Sequence, residues 1–139
     1  PTMAPIEQPE YCHALLVEDE FLVALDIEEQ LTNLGFTVIG PAARVADGLR
    51  LADEAPGLAI AVLDVNLAGE SSWPIARLLK DRGTPFLFLT GYHSGHAGLP
   101  ADLAGTVICS KPVDIVALRA AIAATVAPHD PVPGRSVRD

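Results

Sequence analysis

The sequence contains little cysteine, only Cys12 and Cys109 in 139 residues. Two cysteines cannot form the set of disulfides that stabilises many small secreted domains. Both lie within apolar stretches, so we interpret them as reduced residues of the core. This usage favours a cytoplasmic protein over a secreted one.

Long apolar runs are also missing. No run reaches the roughly 18 residues that a membrane span requires. The first residues show no basic start followed by an apolar stretch, which is the pattern of a secretory signal. We therefore expect no membrane association and a cytoplasmic location.

Basic residues are scarce. The chain has nine Lys and Arg residues and eighteen Asp and Glu residues, which gives a formal net charge of −9. Binding to nucleic acid without sequence preference needs a basic face, so this charge argues against it. An excess of acidic residues is compatible with a cluster of carboxylates or with a site that binds a cation.

The length and composition predict one globular domain, because 139 residues with 50% hydrophobic and 19% charged side chains can bury a sizeable core. Prolines interrupt the apolar pattern at both ends. We expect a loose N-terminal arm over residues 1–10, a folded domain over residues 11–127 and a flexible C-terminal tail over residues 128–139.

Short apolar runs alternate with helical periodicity along the folded part. The predicted strands are Cys12–Val17, Phe36–Gly40, Leu58–Leu63, Phe86–Leu89 and Thr106–Cys109. Four helices follow the first, second, third and fifth of these runs, the third of them with Ser71 or Ser72 as its cap. The segment from Tyr92 to Gly105 is rich in glycine and predicts only an irregular fourth helix. Such alternation predicts an α/β fold with a five-stranded parallel sheet, doubly wound (βα)5 and flavodoxin-like, in strand order 2-1-3-4-5.

Acidic residues follow two strands that this order makes neighbours. Glu18 and Asp19 follow strand one, and Asp64 follows strand three. Ligands of such sheets bind at the carboxyl ends of the strands, near the point where the strand order reverses. Carboxylates crowded there would repel one another, and Mg²⁺ relieves that repulsion. We expect a Mg²⁺ site formed by these three side chains and the backbone carbonyl of Asn66.

Two further polar residues end strands four and five at the same edge. Thr90 supplies a hydroxyl and Lys111 an ammonium group, which together with a cation can bind a phosphoryl group. Asp64 can then act as the nucleophile and form an aspartyl phosphate. Each residue alone has an ordinary explanation as a turn, a cap or a solvated charge, but chance placement at four strand ends is improbable.

The motifs that carry these residues resemble those of the receiver domain of two-component response regulators (CheY-like) over about Ala14 to Val126. LLVEDE carries the acidic pair, AVLDVNL carries Asp64, FLFLTGY carries Thr90, and CSKPV carries Lys111. The resemblance implies a phosphoacceptor role for Asp64 and a cis peptide bond before Pro112.

Three positions differ from the common receiver pattern. Ala68 stands where many receivers carry proline, Gly91 is followed by Tyr92, and Ile108 replaces the aromatic residue that most receivers carry three positions before the lysine. The stretch DVNLAGESSWPIARLLKDRGTPFLFLTGY resembles stand-alone receivers of the FATGUY type, which lack that aromatic and have an irregular fourth helix. This resemblance makes Tyr92 and Ile108 candidates for the switching or partner-binding surface.

The resemblance implies a single-domain response regulator rather than an enzyme. It would accept a phosphoryl group on Asp64 from a histidine kinase, with the HWE class as a candidate, or from a histidine phosphotransfer protein. It would signal by contact with another protein or remove phosphate from another regulator, and it would be a monomer or a weak homodimer.

Two alternatives remain: a small Mg²⁺-dependent phosphohydrolase with an aspartyl-phosphate intermediate, and a receiver-like binding module that is never phosphorylated. The hydrolase usually needs a second Asp where this chain has Asn66.

Overall fold

A computed structural model describes residues 12–91 and 98–126. Five strands form the main sheet: β1 (His13–Val17), β2 (Thr37–Ala42), β3 (Leu58–Asp64), β4 (Phe86–Thr90) and β5 (Ile108–Ser110). The described residues also form the α-helices α1 (Phe21–Asn33), α2 (Val45–Glu54), α3 (Trp73–Asp81) and α4 (Ile115–Val126). Asn66–Leu67 and Glu70–Ser71 form a separate small antiparallel hairpin between β3 and α3.

The five strands are all parallel and lie in the order β2-β1-β3-β4-β5. This confirms the predicted α/β fold and its strand order. The reversal of order lies between β1 and β3, whose carboxyl ends are in register because Val17 pairs with Leu63. The acidic residues after these two strands therefore reach the same edge.

The sheet separates two apolar layers because alternate side chains of each strand point to opposite faces. One layer packs strand residues such as Leu16 and Val62 against α1 and α4. The other packs residues such as Leu15 and Leu63 against α2 and α3. Burial on both faces explains why the central strands read as continuous apolar runs.

Several predicted boundaries differ from those observed. β5 begins at Ile108 rather than Thr106, and β2 continues through Pro41 to Ala42. Proline is tolerated there because β2 is an edge strand of the sheet. Ser72 precedes α3, but its hydroxyl is buried and makes no capping hydrogen bond, so the predicted side-chain cap is wrong.

The crossover between β4 and β5 contains a 3₁₀ turn at Ala101–Leu103 and no α-helix among the residues described there, 98–107. Arg77 on α3 forms two hydrogen bonds with the Asp102 carboxylate, at 2.8 and 3.1 Å. Tyr92 lies outside the described residues, as do the predicted arm (residues 1–10) and tail (128–139). The domain boundaries therefore stay predictions.

No helix within residues 12–91 or 98–126 has both the length and the apolar character needed to span a membrane.

Candidate active site at the carboxyl edge of the sheet

Three carboxylates meet beyond the ends of β1 and β3. Glu18, Asp19 and Asp64 each place one carboxylate oxygen within 4.8 Å of the others. The parallel register of β1 and β3 brings them together, although Asp64 lies 45 positions after Asp19 in the sequence. Glu18 and Asp64 are almost wholly buried, whereas Asp19 is partly exposed.

The Lys111 ammonium group lies among the acidic side chains. Its Nζ is 2.9 Å from Asp64 Oδ2, 3.1 Å from Glu18 Oε1 and 3.4 Å from Glu20 Oε1. The lysine side chain is only 14% exposed, so these charges interact in surroundings that screen them poorly. Lys111 therefore balances part of the negative charge at this edge.

Thr90 ends β4 beside these groups. It is buried, its hydroxyl donates a hydrogen bond to the Gly91 carbonyl at 3.2 Å, and its own carbonyl accepts the Lys111 N–H at 2.9 Å. The last residues of β4 and β5 pair in register, Thr90 with Ser110. A hydroxyl and an ammonium group are thus carried on neighbouring strands at one edge.

The hairpin after Asp64 closes one side of the site. The Asn66 N–H donates to Asp64 Oδ1 at 3.4 Å, and the Ala68 N–H donates to Asp19 Oδ2 at 3.0 Å. Ala68 has a φ of 52°, in the left-handed region, and so presents its N–H to the aspartate. The hairpin connects both aspartates to the same short loop.

Burial dominates the acid–base properties of the two inner carboxyl groups. It raises the pKa of Glu18 from 4.5 to about 7, and the neighbouring Asp64 charge adds to this effect. Burial likewise raises the pKa of Asp64, although hydrogen bonds from Lys111 oppose the change. Burial alone would lower the pKa of Lys111, but its hydrogen bonds to Asp64 and Glu18 raise it above its ordinary value.

The donor set fits a hard divalent cation. The oxygens of Glu18, Asp19 and Asp64 are close enough for one ion to bind them, and Mg²⁺ prefers carboxylate oxygens at about 2.1 Å. One ammonium group, that of Lys111, balances only part of the charge of these three carboxylates. A cation at this position would relieve the repulsion that remains among them.

Sequence reasoning did not identify every residue of the site. Glu20 is exposed and belongs to none of the predicted sites, yet its carboxylate lies beside Lys111. The Lys111–Pro112 peptide bond is cis, and so is Gly40–Pro41, which no pattern had indicated. Ile108, the proposed switch position, is half-buried and packs in the layer that contains α2 and α3.

Comparison with known proteins places this geometry in a family. No family model matches the chain. The solution structure of SdrG from Sphingomonas melonis Fr1 is 33% identical, with a TM-score of 0.74, over 84% of this chain and 97% of that one. A response regulator receiver protein from Sinorhizobium medicae has the same fold, with 24% identity, a TM-score of 0.68 and coverage of 84% and 94%.

The chain belongs to the response-regulator receiver family. A receiver from this family is CheY-like and acts in two-component signalling. The phyllosphere-induced regulator PhyR of Methylorubrum extorquens is also similar, with 39% identity over 82 residues. That match covers 56% of this chain but only 30% of PhyR, so most of PhyR lies outside the region that was compared.

Proposed function

We propose that this receiver accepts a phosphoryl group on Asp64 from a phosphohistidine. The observation that carries the proposal is the position of Asp64, which is buried, ends β3 and contacts the Lys111 ammonium group at 2.9 Å. An acyl phosphate forms when a carboxylate attacks phosphorus, and its new charge requires a fixed counter-charge nearby. The structure supports this role with both groups in contact.

In the proposed transfer, a carboxylate oxygen of Asp64 attacks phosphorus in line with the bond to the histidine nitrogen. The P–N bond breaks, and its electron pair returns to the imidazole ring. Lys111 binds a phosphoryl oxygen, and the Thr90 hydroxyl exchanges its hydrogen bond with Gly91 for one to a second phosphoryl oxygen. Both groups are already at the same edge of the sheet, so little reorganisation is needed.

The residues that would hold Mg²⁺ are Asp19, Asp64, Glu18 and the Asn66 backbone carbonyl. The bound ion would supply positive charge to the phosphoryl oxygens as the transfer proceeds. The mutual distance of the three carboxylate oxygens, within 4.8 Å of one another, supports this assignment.

The donor in this proposal is a histidine kinase, with the HWE class as a candidate, or a histidine phosphotransfer protein in the cytoplasm. The resemblance of the β3–β4 region to FATGUY-type receivers and the likeness to SdrG and PhyR support this choice. The acquired charge shifts the equilibrium between two states of the β4–β5 crossover. The output is then protein contact or removal of phosphate from another regulator.

Intact-mass spectrometry with a small acyl phosphate donor and Mg²⁺ tests the proposal. The wild-type chain should gain one phosphoryl group, Asp64→Asn should gain none, and Asp53→Asn on the exposed surface of α2 should gain one as wild type does. Equal labelling of wild type and Asp64→Asn would reject Asp64 as the acceptor. Rapid, repeated release of phosphate from varied monoesters would instead favour the phosphohydrolase, and an unlabelled wild type the binding module.

A further inference from the structure

Gln30 is an unusual member of the buried face of α1. The other buried residues of this helix, Ala24, Ile27 and Leu31, are apolar and pack in the core against the sheet and α4. A buried amide loses its hydrogen bonds to water, so it destabilises a core position unless it bonds to the protein. An apolar side chain such as methionine would fill this position without that requirement.

The amide bonds to a segment far away in the sequence. Gln30 Nε2 donates to the Val113 carbonyl at 2.6 Å and to Asp26 Oδ2 at 3.1 Å. Both partner atoms are acceptors, a carboxylate oxygen and a carbonyl oxygen, so the nitrogen of the amide must lie on that side. The opposite atom, Gln30 Oε1, is buried and accepts no hydrogen bond from residues 12–91 or 98–126. The bond to Val113 is thus kept although half of the amide is left unsatisfied.

Val113 follows Lys111 by two residues, so this bond holds the loop that carries the lysine. On its β5 side, the Lys111 N–H donates to the Thr90 carbonyl at 2.9 Å. On its α4 side, Asp114 Oδ1 accepts the Ala117 N–H at 2.8 Å and caps the helix. The amide of Gln30 adds an attachment from α1, between these two along the chain.

We propose that Gln30 is a positioning residue that holds the Lys111 backbone at the distance from which its ammonium group reaches Asp64. This inference rests on the proposed function, because it assigns Lys111 the task of binding the phosphoryl group. Gln30 touches none of the reacting groups itself. Its effect is transmitted through the Val113 carbonyl and the two intervening peptide units.

The first test measures the rate of phosphoryl labelling by a small acyl phosphate at saturating Mg²⁺. Gln30→Met, which keeps the length of the side chain and removes the donor, should slow labelling by about 10-fold, because small displacements of a charge-binding group reduce rates strongly. In a Lys111→Ala background the same substitution should cause no further slowing. Thr125→Val is the matched control, since it removes a buried hydroxyl hydrogen bond within α4 and should leave the rate unchanged.

The second test needs no labelling and uses amide hydrogen exchange of the metal-free protein. Gln30→Met should accelerate exchange at the Lys111 amide and at the start of α4, with no change at β1 amides such as that of Leu16. Equal slowing of labelling in both Lys111 backgrounds, an unchanged rate, or uniform acceleration of exchange would overturn the inference. If the wild type accepts no phosphoryl group, the proposed function fails, and the exchange pattern alone decides whether Gln30 holds this loop.

Discussion

At the scale of single residues, the site was predictable where function follows from position on the sheet. Asp64 and Lys111 end parallel strands, and parallel strands present their carboxyl ends at one edge. The contact of Glu20 with Lys111 was not predictable, because it depends on the reach of two long side chains. Gln30 was missed because its polarity conceals its burial, although it stands three residues after Ile27 and four before Leu34 on the apolar face.

The raised pKa of Glu18 predicts how the stability of the metal-free protein depends on pH. The folded state holds this proton more tightly than the unfolded chain, with a pKa of about 7 against 4.5. The resulting stability is complete below pH 4.5 and is lost as the pH rises through 7. In EDTA, the free energy of unfolding should therefore fall by roughly 3 kcal/mol between pH 4.5 and pH 7.5.

Urea unfolding at a series of pH values measures this dependence, with Glu18→Gln as the matched variant. The amide cannot ionise, so most of the decrease should disappear in the variant. Excess Mg²⁺ should weaken or reverse the decrease in the wild type, because the cation favours the charged carboxylates. The same slope in wild type and Glu18→Gln would show that this carboxyl group is not the origin.

At the scale of elements, the continuous apolar strands and the periodic helices were predictable because burial on both faces leaves a clear pattern. The hairpin after Asp64 was not, since two-residue strands have no periodicity and its turn depends on positive φ values at Ala68 and Gly69. The end of β2 was also placed too early. Nothing in the sequence alone shows that the edge strand continues through Pro41.

The approach of β2 to β1 makes a testable contrast between two glycines with nearly equal φ angles. Gly40 has φ 105°, and an added Cβ would lie 2.6 Å from the Leu16 carbonyl oxygen. Gly35 has φ 104° and nothing within 4 Å of that position. Gly35→Ala should destabilise the fold by about 1 kcal/mol through backbone strain alone. Gly40→Ala should cost a further ~1–3 kcal/mol because the clash is with backbone.

Chemical denaturation of the two variants side by side measures this difference. Equal losses of stability would mean that β2 moves away from β1 at no cost, contrary to the close contact described. A larger loss for Gly35→Ala would contradict the steric argument outright.

At the scale of the whole molecule, the two apolar layers form a rigid frame and the site lies at one edge of it. The β4–β5 crossover is different, since its described part contains only a 3₁₀ turn held to α3 through Arg77 and Asp102. That ion pair is exposed and contributes little, so the buried side chain of Leu103 is the main attachment of the turn to the core. The resemblance to FATGUY-type receivers made Tyr92 a candidate for the switching surface here, but Tyr92 lies outside the described residues.

Phosphorylation should therefore alter amide hydrogen exchange most strongly over residues 98–105 and little over α2, which contacts β2 at the opposite edge of the sheet from β5. The physical reason is that Leu103 is the one buried residue of this segment, and segments with few buried contacts change their opening equilibrium most readily. Mass spectrometry of peptides before and after labelling measures both regions in one experiment. A response confined to α2, with residues 98–105 unchanged, would contradict the proposed switch.

The most direct measurement of the central claim is phosphotransfer from a histidine kinase that has been autophosphorylated with radiolabelled ATP. With Mg²⁺, the label should move from the kinase to the wild-type receiver and fail to move to Asp64→Asn, and peptide mapping should place it on Asp64. EDTA should suppress the transfer. Transfer of equal extent to Asp64→Asn, or label found on another residue of the wild type, would contradict the account.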